Sequence, residues 1–284
     1  MSIINAGFIG LGNIGKPMAR HLNTDTIKLT VYDVFPEAMA DLVTEGALAA
    51  SSPADMAKKC SYIGLCVRDD NDVESLLYGD EGILAHAEQS TLITIHSTVT
   101  QANLLRWADD AKQHGIDLID APMTGGANGA EAGTLCYMLG GDAAVVERCK
   151  PLLETSAGKI IHAGELGAGI GLKLCNNLIT YTQFVAMSEA TRLAESCGLS
   201  AEVLREVGKS NGVVNEQMYM FVSNRNALAA KADEATMEKY MGAMGRLGEK
   251  DLDCAIKTAA ALDISLPATE LMRSMINDVF LAKA

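Results

Sequence analysis

Three segments of this chain combine residue types and spacings that can do chemistry. The first is Gly10-Leu-Gly12-Asn-Ile-Gly15, which follows an apolar run and opens a helical pattern. In that setting Gly10 permits a tight turn, Gly12 lets the backbone approach a pyrophosphate, and Gly15 allows helix and strand to pack closely. Backbone N–H groups near Asn13 and Ile14 at the helix start then face the anion. A second apolar run, Leu29-Thr-Val-Tyr-Asp33, ends in an acid 18 residues after Gly15. A carboxylate there accepts hydrogen bonds from the adenosine ribose hydroxyls and repels a 2′-phosphate, so the segment predicts NAD rather than NADP. The alternative is a glycine turn of another α/β sheet, with Asp33 solvated.

The second segment is Asp120-Ala-Pro-Met-Thr-Gly-Gly126, followed by Gly129, Glu131 and Gly133. A strand running into Thr124-Gly125-Gly126 exposes a hydroxyl and consecutive unhindered N–H groups, a concavity suited to a carboxylate. A purely structural glycine loop fits the same residues. The third segment, Gly167-Ala-Gly169-Ile-Gly-Leu-Lys173-Leu-Cys-Asn176-Asn177, opens a long helical pattern. Helical spacing puts Lys173, Asn176 and Asn177 on neighbouring positions of one side, beside a separate buried stripe of Leu174, Leu178, Tyr181 and Val185. A lysine beside such a stripe is partly desolvated. Desolvation and an oxidised nicotinamide both favour its neutral amine, which makes Lys173 a candidate general base or acid.

The elements that position these segments follow from periodicity. Candidate strands are 4–10, 27–33, 62–67, 91–96, 115–121 and 134–139, most followed by a helix-like pattern, which predicts a doubly wound, mostly parallel sheet of Rossmann type over residues 1–163. Beyond about Ala163 strand signals stop. Residues 164–284 read as an all-helical substrate and dimerisation domain: 169–197, 201–208, a broken stretch around 215–223, 235–261 and 267–282. The boundary is expected near 162–167, with the long helix from Gly169 joining the two domains.

Composition narrows the function. With 284 residues, 49% hydrophobic, the chain suits a two-domain protein. A net charge of −13 and no basic cluster argue against nucleic acid as a partner. Without a run of about 18 apolar residues, or a basic start to the chain, neither a membrane span nor a leader is expected, and the location expected is cytoplasmic. The seven cysteines (60, 66, 136, 149, 175, 197 and 254) form no Cys-x-x-Cys pair, so they are expected to be reduced, small core residues with no metal site. Met218, Met220, Met237, Met241 and Met244 crowd the helical half, as an interface or a core does.

Taken in order, the glycine motif, Asp120-Ala-Pro-Met-Thr-Gly-Gly, the Gly-x-Gly-x-x-x-Lys-x-x-Asn-Asn segment and Lys250-Asp251-Leu252 resemble a β-hydroxyacid dehydrogenase of the 3-hydroxyisobutyrate dehydrogenase type. The likeness covers nearly the whole chain. It implies an NAD-dependent oxidoreductase, homodimeric or homotetrameric, that moves a hydride between nicotinamide and a small β-hydroxy acid or its semialdehyde. It further implies Lys173 as the catalytic residue; Asn177, Ser97, Thr124, Gly125 and Gly126 as substrate contacts; and Cys66, Val67, Thr98 and Lys250 as cofactor contacts.

Three departures from the family pattern bear on the substrate. His96-Ser97-Thr98 replaces Ser-Ser-Thr, Thr124 replaces a serine, and Arg68-Asp69-Asp70 replaces a Leu-Pro step. The chain also stops soon after Phe280, so a tail contact found in relatives is expected to be short or missing. His96 has the reference pKa of a general base, but the resemblance places proton transfer on the lysine and leaves His96 a structural role. The same scaffold also carries semialdehyde, glyoxylate and imine reductases, decarboxylating dehydrogenases and non-catalytic NAD-binding modules. Lys173 weighs against the imine reductases and the binding modules, and the short helical half against the larger decarboxylating enzymes.

Overall fold

A computed structural model describes residues 3–283. Among the described residues nine strands form one sheet: β1 Ile4–Ile9, β2 Ile27–Tyr32, β3 Leu48–Ala49, β4 Tyr62–Leu65, β5 Leu92–Ile95, β6 Asp117–Asp120, β7 Met123–Thr124, β8 Leu135–Gly140 and β9 Ala157–Gly164. Their order is β3-β2-β1-β4-β5-β6-β8-β7, with β9 beside β8. The first six are parallel to their neighbours, and β8 then pairs antiparallel with β6 and β7. The run 3-2-1-4-5-6 is the order of a dinucleotide-binding sheet, in which the strand order reverses between β1 and β4 and ligands sit outside the carboxyl ends of the strands. Every residue of β4 and β5 is buried, as expected of central parallel strands covered on both faces.

Register brings the chemistry-bearing segments to one edge. Tyr32, Ile9, Leu65, Ile95 and Asp120 are paired across five adjacent strands. The residues that follow them, Asp33, Gly10, Cys66, His96 and Ala121, therefore leave the sheet side by side. Two sequence-predicted strands run too far for identifiable reasons. Gly10 takes φ +93°, which ends β1. The Ser97 hydroxyl donates to Val67 O and accepts from Val67 N, both at 2.8 Å, and so replaces the ladder after Leu65. The sequence pattern also omitted β3, β7 and β9. The first two are only two residues long, and the burial of β9 does not alternate.

His96 belongs to the core. It is buried, stacks on Phe8 and meets Tyr137 edge-on. Its Nδ1 lies 2.9 Å from Ala121 O, which can only accept, so Nδ1 carries the proton. Nε2 is then the acceptor for Thr94 Oγ1 at 3.0 Å, and Tyr62 OH completes the chain at 2.8 Å from Thr94. Burial pushes the imidazole down to about 4, against the bond to Ala121, which pulls it up. Because the folded value lies below the unfolded one of about 6.5, His96 contributes full stability above pH 6.5 and loses on the order of 3 kcal/mol as pH falls towards 4. Imidazole 15N spectra are expected to show His96 neutral, with the proton on Nδ1, down to pH 5. A midpoint between 6 and 7 would refute this network.

The chain folds as two compact units, one ending at Lys173 and the other starting at Leu174, within the continuous helix Ala168–Ser196. The second unit contains the helices Ala201–Ser210, Glu216–Ala229, Glu234–Met237, Ala243–Ala261 and Pro267–Phe280. The stretch expected to be broken around 215–223 is one helix, capped by Asn215, whose side chain accepts from Met218 N. Buried Arg225 ties it to Ser188 Oγ at 2.8 Å and to Val279 O at 2.7 Å. The single helix expected over 235–261 instead has a π-helical turn at Glu238–Gly242, and a Cβ on Gly242 would lie 2.7 Å from the Glu238 side chain.

The seven cysteines are thiols rather than disulfides, but Cys175 and Cys197 are exposed rather than core residues, because they fall on the outer side of the long helix and just past its end. Burial pushes the thiols of Cys60 up to about 11 and Cys149 to about 12. Of the five methionines in the helical half, Met218 and Met237 are buried, while Met220 and Met244 are exposed.

Candidate active site

In the first unit the glycine segment lies between β1 and the helix Gly15–Leu22. A Cβ on Gly10 would lie 2.3 Å from Cys66 O, and one on Gly15 would lie 2.0 Å from Gly10 O, so both positions require glycine for close packing. Gly12 differs: no heavy atom lies within 4 Å of its missing Cβ. Nothing in the protein needs that space, which suits a glycine kept for the approach of a ligand. Asn13 is exposed and Ile14 half-buried at the helix start. Asp33 Oδ2 accepts from Leu11 N at 2.7 Å and Oδ1 from Phe35 N at 2.9 Å. The acid thus ties the glycine loop to the end of β2 and keeps lone pairs for further donors. An open glycine loop with a fixed carboxylate at the edge of the sheet fits a nicotinamide dinucleotide.

Next along the edge come half-buried Cys66 and Val67, then buried Ser97 and half-buried Thr98. Ser97 has its hydroxyl committed to Val67, as described above, so in this structure it joins the ends of β4 and β5. After Ala121 and Pro122 the chain forms β7, pairing Thr124 with Cys136, and then the short helix Gly126–Glu131. Thr124 is half-buried. Gly125 and Gly126 are exposed at φ +131° and +63°, conformations that favour glycine.

Asp120, part of the second motif but given no role by sequence reasoning, is fully buried. Its Oδ1 accepts from Gly167 N at 2.8 Å and its Oδ2 from Ile170 N at 2.6 Å, at the start of the helix that carries Lys173. Burial pushes its carboxyl above the ordinary value, opposed by these N–H groups and that of Gly169. Lys173 is half-buried, one helical turn beyond Ile170.

In the second unit Asn177 is buried on the same stripe as Leu174, Tyr181, Phe184, Ser188 and Thr191. The sequence pattern predicts it beside Lys173, outside that stripe. The reason is Asp251: Asn177 Nδ2 donates to Asp251 Oδ2 at 2.7 Å, and Tyr181 OH donates to the same oxygen at 3.0 Å. Half-buried Lys250 places Nζ 3.0 Å from Asp251 Oδ1. Burial, with the charge of Asp251 behind it, pushes the Tyr181 phenol well up, so it stays a donor. Since Nδ2 faces the carboxylate, Asn177 keeps Oδ1 as an acceptor and one further N–H. Helical spacing puts Tyr181 one turn beyond Asn177, whereas only tertiary packing brings Asp251 to them. Replacing Asp251 with Asn removes the charge that Lys250, Asn177 and Tyr181 share, and is expected to cost about 1–3 kcal/mol in urea unfolding. A change below about 0.5 kcal/mol would show the cluster to be energetically idle.

Among the described residues no group of His, Cys, Asp or Glu could hold a metal ion, and no helix is long and apolar enough to cross a membrane. The sheet order and glycine loop define a dinucleotide-binding oxidoreductase scaffold. A family model described as the NAD binding domain of 6-phosphogluconate dehydrogenase matches residues 5–164, and one described as NAD-binding of NADP-dependent 3-hydroxyisobutyrate dehydrogenase matches residues 167–283.

The chain is 34% identical to 3-hydroxyisobutyrate dehydrogenase of Pseudomonas aeruginosa over 272 residues, covering 95% of this chain and 90% of that one. It is also 34% identical to the NAD-dependent L-serine dehydrogenase of the same organism, covering 94% and 89%. A solved structure of Mycobacterium tuberculosis 3-hydroxyisobutyrate dehydrogenase with L-serine superposes with a TM-score of 0.84 at 28% identity, covering 99% of each chain. The chain therefore belongs to the 3-hydroxyisobutyrate dehydrogenase family, NAD(P)-binding oxidoreductases that act on hydroxyl groups of small molecules.

Proposed function

We propose that the protein is an NAD-dependent dehydrogenase of small β-hydroxy acids, of the size of 3-hydroxyisobutyrate or serine, with Lys173 moving the proton. The supporting observation is the row of Asp33, Gly10, Cys66 and Ser97 along one sheet edge, in the unit that also holds Thr124-Gly125-Gly126 and ends at Lys173. Gly10, Gly12, Asn13, Ile14 and Gly15 hold the pyrophosphate, Asp33 the adenosine ribose, and Cys66, Val67, Thr98 and Lys250 the remainder of the dinucleotide. The nicotinamide, when bound, supplies the hydride acceptor for oxidation and the donor for reduction.

Asp33 favours NAD, since the following Val34-Phe35-Pro36-Glu37 offers no cation for a 2′-phosphate. The neutral Lys173 amine takes the proton of the substrate hydroxyl, and its ammonium returns that proton in the reverse direction. Thr124, Gly125 and Gly126 orient the substrate carboxylate through the hydroxyl and backbone N–H groups, and Asn177 gives the substrate a further polar contact. Exposed Tyr240, Met244 and Leu247 support a homodimer or homotetramer, read by light scattering, and the expected location is the cytoplasm.

The test is absorbance at 340 nm with 3-hydroxyisobutyrate, serine, glycerate, 3-hydroxypropionate, 4-hydroxybutyrate and the matching semialdehydes. NAD and NADP are compared in parallel. Turnover of a β-hydroxy acid with NAD in clear preference to NADP supports the reading. Preference for NADP overturns the role given to Asp33, and turnover confined to 4-hydroxybutyrate or its semialdehyde overturns the substrate class.

A further inference from the structure

The helix that carries Lys173 has no side chain at its own N-terminus to satisfy its first N–H groups, because the residue before Ala168 is Gly167, at φ +90°. Such groups are ordinarily met by a nearby Ser, Thr, Asp or Asn. Here they are met by a carboxylate 47 and 50 residues earlier in the chain, Asp120 at the end of β6, which receives Gly167 N and Ile170 N on its two oxygens. Both oxygens accept, which is the hydrogen-bonding state of an ionised carboxylate. A negative charge at that end of the helix also opposes the positive pole of its dipole.

The surrounding sequence makes room for this carboxylate. A Cβ on Gly140 would lie 2.4 Å from Asp120 Oδ1, and one on Gly169 would lie 2.8 Å from Oδ2 and 2.3 Å from Met138 O. Two glycines are thus given to the seat of one buried acid. A local cap would have stabilised the helix as well. What a local cap cannot do is fix the helix against the sheet.

From the seat of Asp120 the chain reaches Thr124-Gly125-Gly126 in four to six residues. From Ile170, held by the same side chain, Lys173 follows after three residues, about 4.5 Å of helical rise. We propose that Asp120 is a positioning residue, whose buried carboxylate sets Lys173 in register with the Thr124-Gly125-Gly126 loop. This rests on the reading of Lys173 as the proton-transfer group. A shift of about 1 Å between reacting groups can cost about a hundredfold in rate, so the clamp acts on turnover more than on binding.

The test compares wild type with Asp120→Asn, Asp120→Ser and Lys173→Ala. Asparagine is isosteric but turns an amino group towards one of the two backbone N–H groups, while serine keeps a single acceptor in a roomier site and serves if the asparagine variant does not fold. Whichever variant melts above the assay temperature is expected to lose about tenfold to a hundredfold in kcat, with KM and the Kd for NADH within about twofold of wild type. A lower melting temperature with wild-type kcat would make Asp120 a structural cap and overturn the inference alone. Wild-type turnover by Lys173→Ala would overturn the reading of Lys173, and the positioning role with it.

Discussion

Replacing Lys173 with methionine lowers turnover by about 10²–10⁴-fold, the usual contribution of a positioned proton-transfer group. Methionine keeps an unbranched apolar stem of similar length on the half-buried face of the helix and removes the only part that can carry a proton. Asp120 still holds the helix start through Gly167 and Ile170. The groups assigned to the dinucleotide, from Gly10 to Gly15 and at Asp33, are untouched. NADH binding, followed by quenching of protein fluorescence, should stay within about twofold of wild type while kcat collapses. A variant that keeps kcat within about threefold would move the proton transfer to another residue.

Gly10→Ala is expected to abolish dinucleotide binding and to destabilise the first unit together. The position has φ +93°, where a side chain costs about 1–3 kcal/mol. In addition, the new Cβ would lie 2.3 Å from Cys66 O and 3.1 Å from Val67 Cγ1, so the end of β4 must move away from β1. Gly12→Ala separates the two effects. Its Cβ meets no protein atom within 4 Å and its φ is not in the left-handed region, so stability stays near wild type while a methyl group enters the space assigned to the pyrophosphate. Calorimetric titration with NADH beside urea unfolding should find both variants weak in binding and only Gly10→Ala weak in stability. Tight binding by Gly12→Ala would remove the pyrophosphate from that loop.

The sequence made the fold legible where local chemistry and global packing agree. β1 and β2 announce themselves through apolar runs ending in Gly10 and Asp33, and the long helix through the pattern after Gly169. β9 was hidden because an outer strand with no alternating burial has no period to read. The helix Glu216–Ala229 has no clean apolar period, because its buried positions are Met218, Val222 and Arg225, and the bonds of Arg225 to Ser188 and Val279 exist only in the folded chain.

Site residues divide in the same way. Lys173 and the glycines declare themselves by type and spacing, and the family likeness supplied roles for Thr98, Lys250 and Asn177. Asp120, Asp251 and Tyr181 carry no such signature, because they bond to partners 47 to 74 positions away in sequence. Spacing along the chain carries no signal of such contacts. For Ser97 the family likeness implies a substrate contact, and the structure adds that its hydroxyl donates to Val67 O and accepts from Val67 N.

The most direct test of the central claim is where the hydrogen goes. 3-Hydroxyisobutyrate deuterated at its hydroxymethyl carbon would be incubated with NAD and the wild-type protein, or Lys173→Met over a longer time, and the nucleotide examined by mass spectrometry. The expected result is one deuterium on the reduced nicotinamide with wild type, the same label formed far more slowly with Lys173→Met, and methylmalonate semialdehyde as the product. Reduced nucleotide without deuterium, or equal rates of labelling by the two proteins, would contradict it.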